Sequence, residues 1–162
     1  MPVRAGDRVG DFGAGQGLHT QAILKKLGAE GSVYAFDVFE GHVEALHRKR
    51  VREAADNLFS LCVDLNAHLP LRDAILHCSL LSNTLHALSD RSHFLSELHR
   101  VTRPGGRVLM VDWVSSFKGL GPTEDAVVTP GEAVRLFKAH GFSVGKMLPA
   151  GTHHYAFVAT KS

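Results

Sequence analysis

The sequence predicts an α/β fold, a mostly parallel sheet with helices packed on both of its faces. Two observations predict it. Short apolar runs alternate with segments of helical periodicity along almost all of the 162 residues. Parallel strands need crossovers of that kind, and the helices they supply cover both faces of the sheet. The second observation is local. The first apolar run ends in Gly13-Ala14-Gly15-Gln16-Gly17, with glycines at alternate positions, and a helical pattern starts at once at Leu18. A strand that runs into such a loop and then a helix brings bare backbone close to whatever lies above the strand end.

The elements follow in order. Arg8 to Phe12 reads as the first strand. Leu18 to Leu27 reads as a helix, with Leu18, Ala22, Ile23 and Leu27 on one face and Gly28 as its stop. Ser32 to Asp37 is the second strand, its Val33-Tyr34-Ala35-Phe36 apolar on both faces as a central strand would be. A helix is expected from about Gly41 to Ala54, a third strand from Leu58 to Val63 and a fourth from Ile75 to Leu81. Phe94, Leu95, Leu98 and Val101 mark the next helix, which Pro104-Gly105-Gly106 stops before a fifth strand, Arg107 to Trp113. Phe117 to Val128 is loop-like. Thr129-Pro130-Gly131-Glu132 is a helix start, with a capping hydroxyl, proline at the first helical position and Glu132 set to complete a capping box. That helix ends near His140-Gly141. Phe142 to Leu148 and His153 to Thr160 then form an antiparallel hairpin, in which strand alternation sends His153 and His154 to opposite faces.

The composition describes one folded domain, residues 1–162. Hydrophobic residues make 44% and charged residues 21% of the chain, which separates it from disordered sequences, and a net charge of +2 allows an acidic partner without arguing for one. Cys62 and Cys78 lack the paired spacing of a zinc or redox motif, and the eleven histidines form no metal motif. No apolar run has the length of a membrane span, and Met1 to Gly6 has no signal-peptide core, so the expected location is cytoplasmic and no membrane partner is expected. The basic run His47-Arg48-Lys49-Arg50-Val51-Arg52 falls on a helix, where a solvated face explains it better than a nucleic acid does.

In a sheet of this kind the ligand lies beyond the carboxyl ends of the strands. Distinctive residues recur there. Asp11 lies just before the glycines. Asp37 ends the second strand about twenty residues on, where a carboxylate can accept from both hydroxyls of a ribose. Asp64 ends the third strand, where an adenine amino group could donate to it. Asn83 and His86 follow the fourth strand beside the expected reaction centre and are the catalytic candidates. Asp112 and Trp113 end the fifth.

These stretches resemble one family closely. Val9 to Gly17, Gly31 to Asp37, Leu80 to His86 and Leu98 to Arg107 occur in the order and spacing of the class I S-adenosylmethionine-dependent methyltransferases, in their ubiquinone-biosynthesis and type 11 group. Ala139 to Phe142 and His154-Tyr155-Ala156 are similar to that family's last helix and hairpin. The resemblance implies a Rossmann-like seven-stranded sheet of order 3-2-1-4-5-7-6 with its last strand antiparallel. It implies S-adenosylmethionine as cofactor and a small molecule as methyl acceptor. On that likeness, the methionine moiety lies along Gly13, Gly15 and Gly17, with Asp11 near its amino group and Ser82 completing that end. Asp37 holds the ribose, Val38 packs on the adenine face, and Asp64 and Leu65 flank the adenine edge. Trp113, His154 and Tyr155, under the Phe117 to Asp125 loop, form the acceptor wall.

The chain departs from the family in two places. His77 stands where the family usually has Asp near the start of the fourth strand, and the helices that usually precede the first strand as a lid are lacking. The acceptor side is then open, or a partner, a second copy or a segment absent from this sequence covers it. Two further readings stand beside the enzyme. A nicotinamide-dependent oxidoreductase would want glycine at Leu18. A methyltransferase-like subunit would serve a partner without turnover of its own.

Overall fold

The structure is a computed structural model that describes residues 3–117 and 119–162. Its elements are β1 (Arg8–Phe12), α1 (Leu18–Leu27), β2 (Ser32–Asp37), α2 (Glu40–Arg52), β3 (Leu58–Cys62), β4 (Leu76–Ser82), a 3₁₀ turn (Leu85–Ala87), α3 (Arg91–Val101), β5 (Thr102–Trp113), α4 (Pro130–Ala139), β6 (Phe142–Leu148) and β7 (His154–Lys161). The seven strands form one sheet in the order β3-β2-β1-β4-β5-β7-β6. The first five pair in parallel, β7 runs antiparallel to β5, and β6 pairs antiparallel with β7. The order reverses between β1 and β4, which opens a crevice at their carboxyl ends.

Strand alternation divides the core in two. Val9, Val33, Ala35, Cys78 and Leu80 pack with Ile23 and Leu27 of α1 and Leu46 of α2. Phe12, Phe36, Leu81, Val108, Met110 and Phe157 face the other way, onto Phe94, Leu95 and Leu98 of α3 and Ala133 and Phe137 of α4. The Phe12 and Phe36 rings stack at 5.0 Å, and Phe94 meets Phe12 edge-on at 5.6 Å. These aromatic contacts lie under the strand ends and fix their heights.

Several boundaries differ from the sequence expectation by a residue or two, and three of the differences have a clear physical reason. Pro104-Gly105-Gly106 does not separate α3 from the sheet. Thr102 already pairs with Leu76, and the residues up to Arg107 bulge outward before Arg107 pairs with Cys78. Gly105, at φ 71°, makes that bulge possible. β3 ends at Cys62, because Val63 leaves the ladder after donating its N–H to Asp37 O at 2.9 Å. His153 lies in the turn before β7, so alternation does not govern it, and the rings of both His153 and His154 reach Trp113. At α4 the Thr129 hydroxyl accepts from Glu132 N–H as expected, while the Glu132 carboxylate reaches toward Arg91 at 3.8 Å.

The β3–β4 connection carries part of the crevice and is held by one ion pair. Arg100 donates to both carboxylate oxygens of Glu97 at 2.7 Å, to Asp73, and to the Leu69 and Leu71 carbonyls. Glu97 also accepts from Leu69 N–H at 2.8 Å. The Arg100 hydrogen bonds, helped by Leu69 N–H and opposed by burial, hold the Glu97 carboxyl at about 2, below its ordinary 4.5. A depressed folded-state pKa contributes stability that is present above the unfolded value and lost as pH falls toward the folded one. Glu97→Gln is therefore expected to cost about 1–3 kcal/mol at neutral pH, since the half-buried guanidinium loses its bidentate carboxylate and keeps only Asp73 and the two carbonyls. The wild-type advantage should fade between pH 4.5 and 2. Urea midpoints measured across that range check this, and a constant difference between the two proteins would refute it.

Candidate functional site

The loop after β1 is built by its hydrogen bonds. Gly13 N–H and Ala14 N–H both donate to Phe36 O at 2.9 Å, which folds the loop over the end of β2. Gly13, Gly15 and Gly17 take φ values of 77°, 54° and 80°, a region that side chains with a Cβ avoid. The glycines do different work. A Cβ on Gly13 would strike the Thr84 side chain, and one on Gly17 would strike Leu46. A Cβ on Gly15 would meet nothing within 4 Å. Two of the three thus allow close packing, and Gly15 alone of them faces open space.

Asp37 is the electrostatic centre of this region. Its side chain is buried, yet three donors meet it. Oδ2 accepts from Gly15 N–H at 2.8 Å, Oδ1 accepts from Phe39 N–H at 2.9 Å, and His42 Nδ1 lies 3.1 Å from Oδ1. A cavity of about 420 Å³ opens beside it. Gly13 and Asp37 to Phe39 line it on one side, Asp64 to Asn66 at one end, and Asn83, Thr84, Ala87 and Leu88 on the other. The size suits a nucleoside-sized ligand. Val38 is exposed in its wall and Leu65 is buried. Asp64 Oδ1 accepts from Asn66 N–H and Nδ2, and Asn66 Oδ1 in turn accepts from the N–H groups of Ser89 and Asp90. That chain ties the far end of the cavity to the start of α3.

Asp11 stands elsewhere. It faces α1 beneath the loop, where its carboxylate accepts from the Thr20 hydroxyl at 2.6 Å. Burial pushes its pKa up, and the Thr20 hydrogen bond opposes that. Ser82 and Asn83 lie at the end of β4. Asn83 has φ 54° and donates its N–H to Val111 O. It lines the first cavity and also a second of about 440 Å³, on the α1 face, with Ser82, Leu109, Val111, His154 and Ala156.

His86 is held by Asp112. Its Nδ1 lies 2.6 Å from Asp112 Oδ1, and its backbone N–H donates to Oδ2 at 3.1 Å. Asp112 is 1% exposed and also accepts from Trp113 N–H. A carboxylate offers only lone pairs, so Nδ1 carries the proton in this pair and a neutral ring has its lone pair on Nε2. The three acceptor-wall candidates are divided by the sheet. Trp113 pairs with His154, their rings 4.3 Å apart, on the α1 face. Tyr155 points to the other face, buried, with its hydroxyl donating to Val128 O at 3.0 Å. Burial pushes the Tyr155 phenol above its ordinary range. His154 Nε2 is buried without a hydrogen-bond partner among the described residues. Lys118, in the expected acceptor loop, lies outside the described residues; a Cβ on Gly121 of that loop would strike the Trp113 ring.

Residues 10–110 match the family described as Methyltransferase domain. The chain belongs to that methyltransferase family. It is 32% identical over 127 residues to a ubiquinone/menaquinone biosynthesis C-methyltransferase UbiE of Legionella pneumophila, covering 76% of this chain and 50% of that protein. It is 30% identical over 136 residues to a 27-O-demethylrifamycin SV methyltransferase of Amycolatopsis mediterranei, covering 83% of this chain and 49% of that one. The chain thus spans about half the length of these curated relatives. Among solved structures it resembles a SAM dependent methyltransferase from Aquifex aeolicus, with a TM-score of 0.90 and 28% identity over 99% of this chain and 85% of that one.

Set on this methyltransferase fold, the geometry adds residues that the sequence did not flag. Phe39, His42, Asn66, Thr84 and Leu88 all line the first cavity. His42 had a local signal, since the first turn of a helix that follows a strand-end carboxylate can fold back on it. Thr84 had none, because its contact with Gly13 joins segments 71 residues apart. Among the described residues, no helix is long and apolar enough to cross a membrane.

Proposed function

We propose that the chain binds S-adenosylmethionine and transfers its methyl group to a small-molecule acceptor. The observation that carries this reading is the Asp37 carboxylate, bonded to the loop at Gly15 and set beside the cavity, with open space above Gly15. That arrangement fits an adenosyl group and an amino-acid tail. Asp37 accepts from the ribose, Val38 and Leu65 bracket the base, and the Asp64 carboxylate accepts from its amino group. Gly13, Gly15 and Gly17 leave the path of the methionine moiety clear. Asp11 acts from beneath, fixing the loop through Thr20, and Ser82 borders the methyl end with Asn83.

When bound, S-adenosylmethionine supplies a methyl carbon on positive sulfur, open to in-line displacement. The protein's part is alignment and proton handling. His86, oriented by Asp112, is the acceptor's base in this reading; it lines neither cavity, and it follows Asn83, which lies where the two cavities meet, by three residues. One named relative is a C-methyltransferase and the other a 27-O-demethylrifamycin SV methyltransferase, and a neutral imidazole serves either a carbon acid or a hydroxyl. Trp113 and His154 border the acceptor on the α1 face, and Tyr155 supports them from behind the sheet.

Calorimetry with S-adenosylhomocysteine tests the binding half. Wild type is expected to bind in the micromolar range, about −8 kcal/mol. Asp37→Ala should weaken this by roughly 1.5–3 kcal/mol through the loss of charge-assisted hydrogen bonds. Undiminished binding by that variant would falsify the ribose assignment. Turnover on an acceptor panel separates an enzyme from a binding subunit.

A further inference from the structure

Two of the three donors on Asp37 are backbone N–H groups, from Gly15 and Phe39, and the chain path fixes them. The third is a side chain. His42 sits in the first turn of α2, with Nδ1 at 3.1 Å from Asp37 Oδ1. Its ring lies edge to face with Phe39, centroids 5.5 Å apart, and it lines the same cavity as the carboxylate. Glu40, the acidic residue of that first turn, is exposed and has no such contact with the carboxylate among the described hydrogen bonds.

We propose that His42 is a positioning residue for the adenosyl ligand, fixing the plane of the Asp37 carboxylate; this rests on the nucleoside reading of the cavity. The ionised carboxylate can only accept, so Nδ1 carries the hydrogen of this bond. Phe39 N–H and His42 both bond Oδ1, which fills the two hydrogen bonds that one carboxylate oxygen ordinarily accepts. Oδ2 accepts from Gly15 N–H alone among the described hydrogen bonds, which leaves it capacity for a ribose hydroxyl. Without His42 one backbone N–H still bonds each oxygen, but the carboxylate swings more widely about its Cβ–Cγ bond, and the ligand must then restrict it. A ligand that meets a pre-set partner does not bear that cost.

Binding of S-adenosylhomocysteine and of 5′-methylthioadenosine, measured by calorimetry, tests this without any acceptor. His42→Leu is expected to weaken both ligands by about five- to tenfold, in line with a partly exposed hydrogen bond to a charged group. His42→Asn should recover most of that loss, because its amide nitrogen can reach the place of Nδ1. In an Asp37→Ala background, His42→Leu should cost nothing further, a result that a merely structural role would not give. Melting curves of the single variants should match wild type, since the residue is part-exposed at a helix start. Wild-type binding by His42→Leu, tighter binding by it, or equal further loss in the Asp37→Ala background would each overturn the proposal. If wild type binds neither ligand, the nucleoside reading itself fails, which the same titration reveals first.

Discussion

Gly15→Val is expected to give a folded protein that has lost S-adenosylhomocysteine binding by more than a hundredfold. The three glycines of the loop share a left-handed backbone, but they differ in what lies above them. At Gly15 an added side chain meets no protein atom within 4 Å, so its cost to the fold is backbone strain alone, about 1–2 kcal/mol for a β-branched residue. The two valine methyls would fill the space assigned to the methionine moiety. Gly13→Ala supplies the contrast. Its smaller side chain collides with Thr84, whose hydroxyl is already committed to the Phe12 and Ser82 carbonyls. That variant should lose stability as well as ligand. Thermal melting and calorimetry on the two proteins check the pair. Normal binding by Gly15→Val would remove the cofactor from this loop.

The contrast also marks what could be read in the sequence. The positions of the glycine loop and of Asp37 at its strand end were legible because each is a local signal, a strand end followed by a residue type that a turn favours. The strand order followed from the alternation of elements together with the family resemblance. What each glycine packs against was not legible, since Thr84 and Leu46 reach the loop from distant segments. Neither was the His86–Asp112 pair, which depends on the β4–β5 register and on the turn that brings His86 back toward β5. One division was available in principle. His154 and Tyr155 are adjacent in a strand, so period-two alternation alone sends them to opposite faces. The structure puts His154 with Trp113 and buries Tyr155 against Val128.

The largest effect on turnover should come from His86. His86→Ala is expected to lower turnover by roughly 10²–10⁴-fold, the usual contribution of a positioned proton acceptor, while S-adenosylhomocysteine affinity stays within a factor of two. The separation follows from where the side chain stands. His86 is bonded to Asp112 of β5, and the Asp37 clamp lies across the crevice at the end of β2. Removing the imidazole leaves the ribose contacts untouched. It also leaves Asp112 buried with two backbone N–H donors, His86 and Trp113, so the carboxylate keeps partners and the turn should hold. Free imidazole should restore part of the rate, because the deleted group is a proton acceptor rather than a scaffold. The measurement needs an acceptor that the wild type turns over, with initial rates for both proteins in the presence and absence of imidazole. Should His86→Ala keep its rate, the acceptor ionises without help, and His86 serves only to pin the turn onto β5.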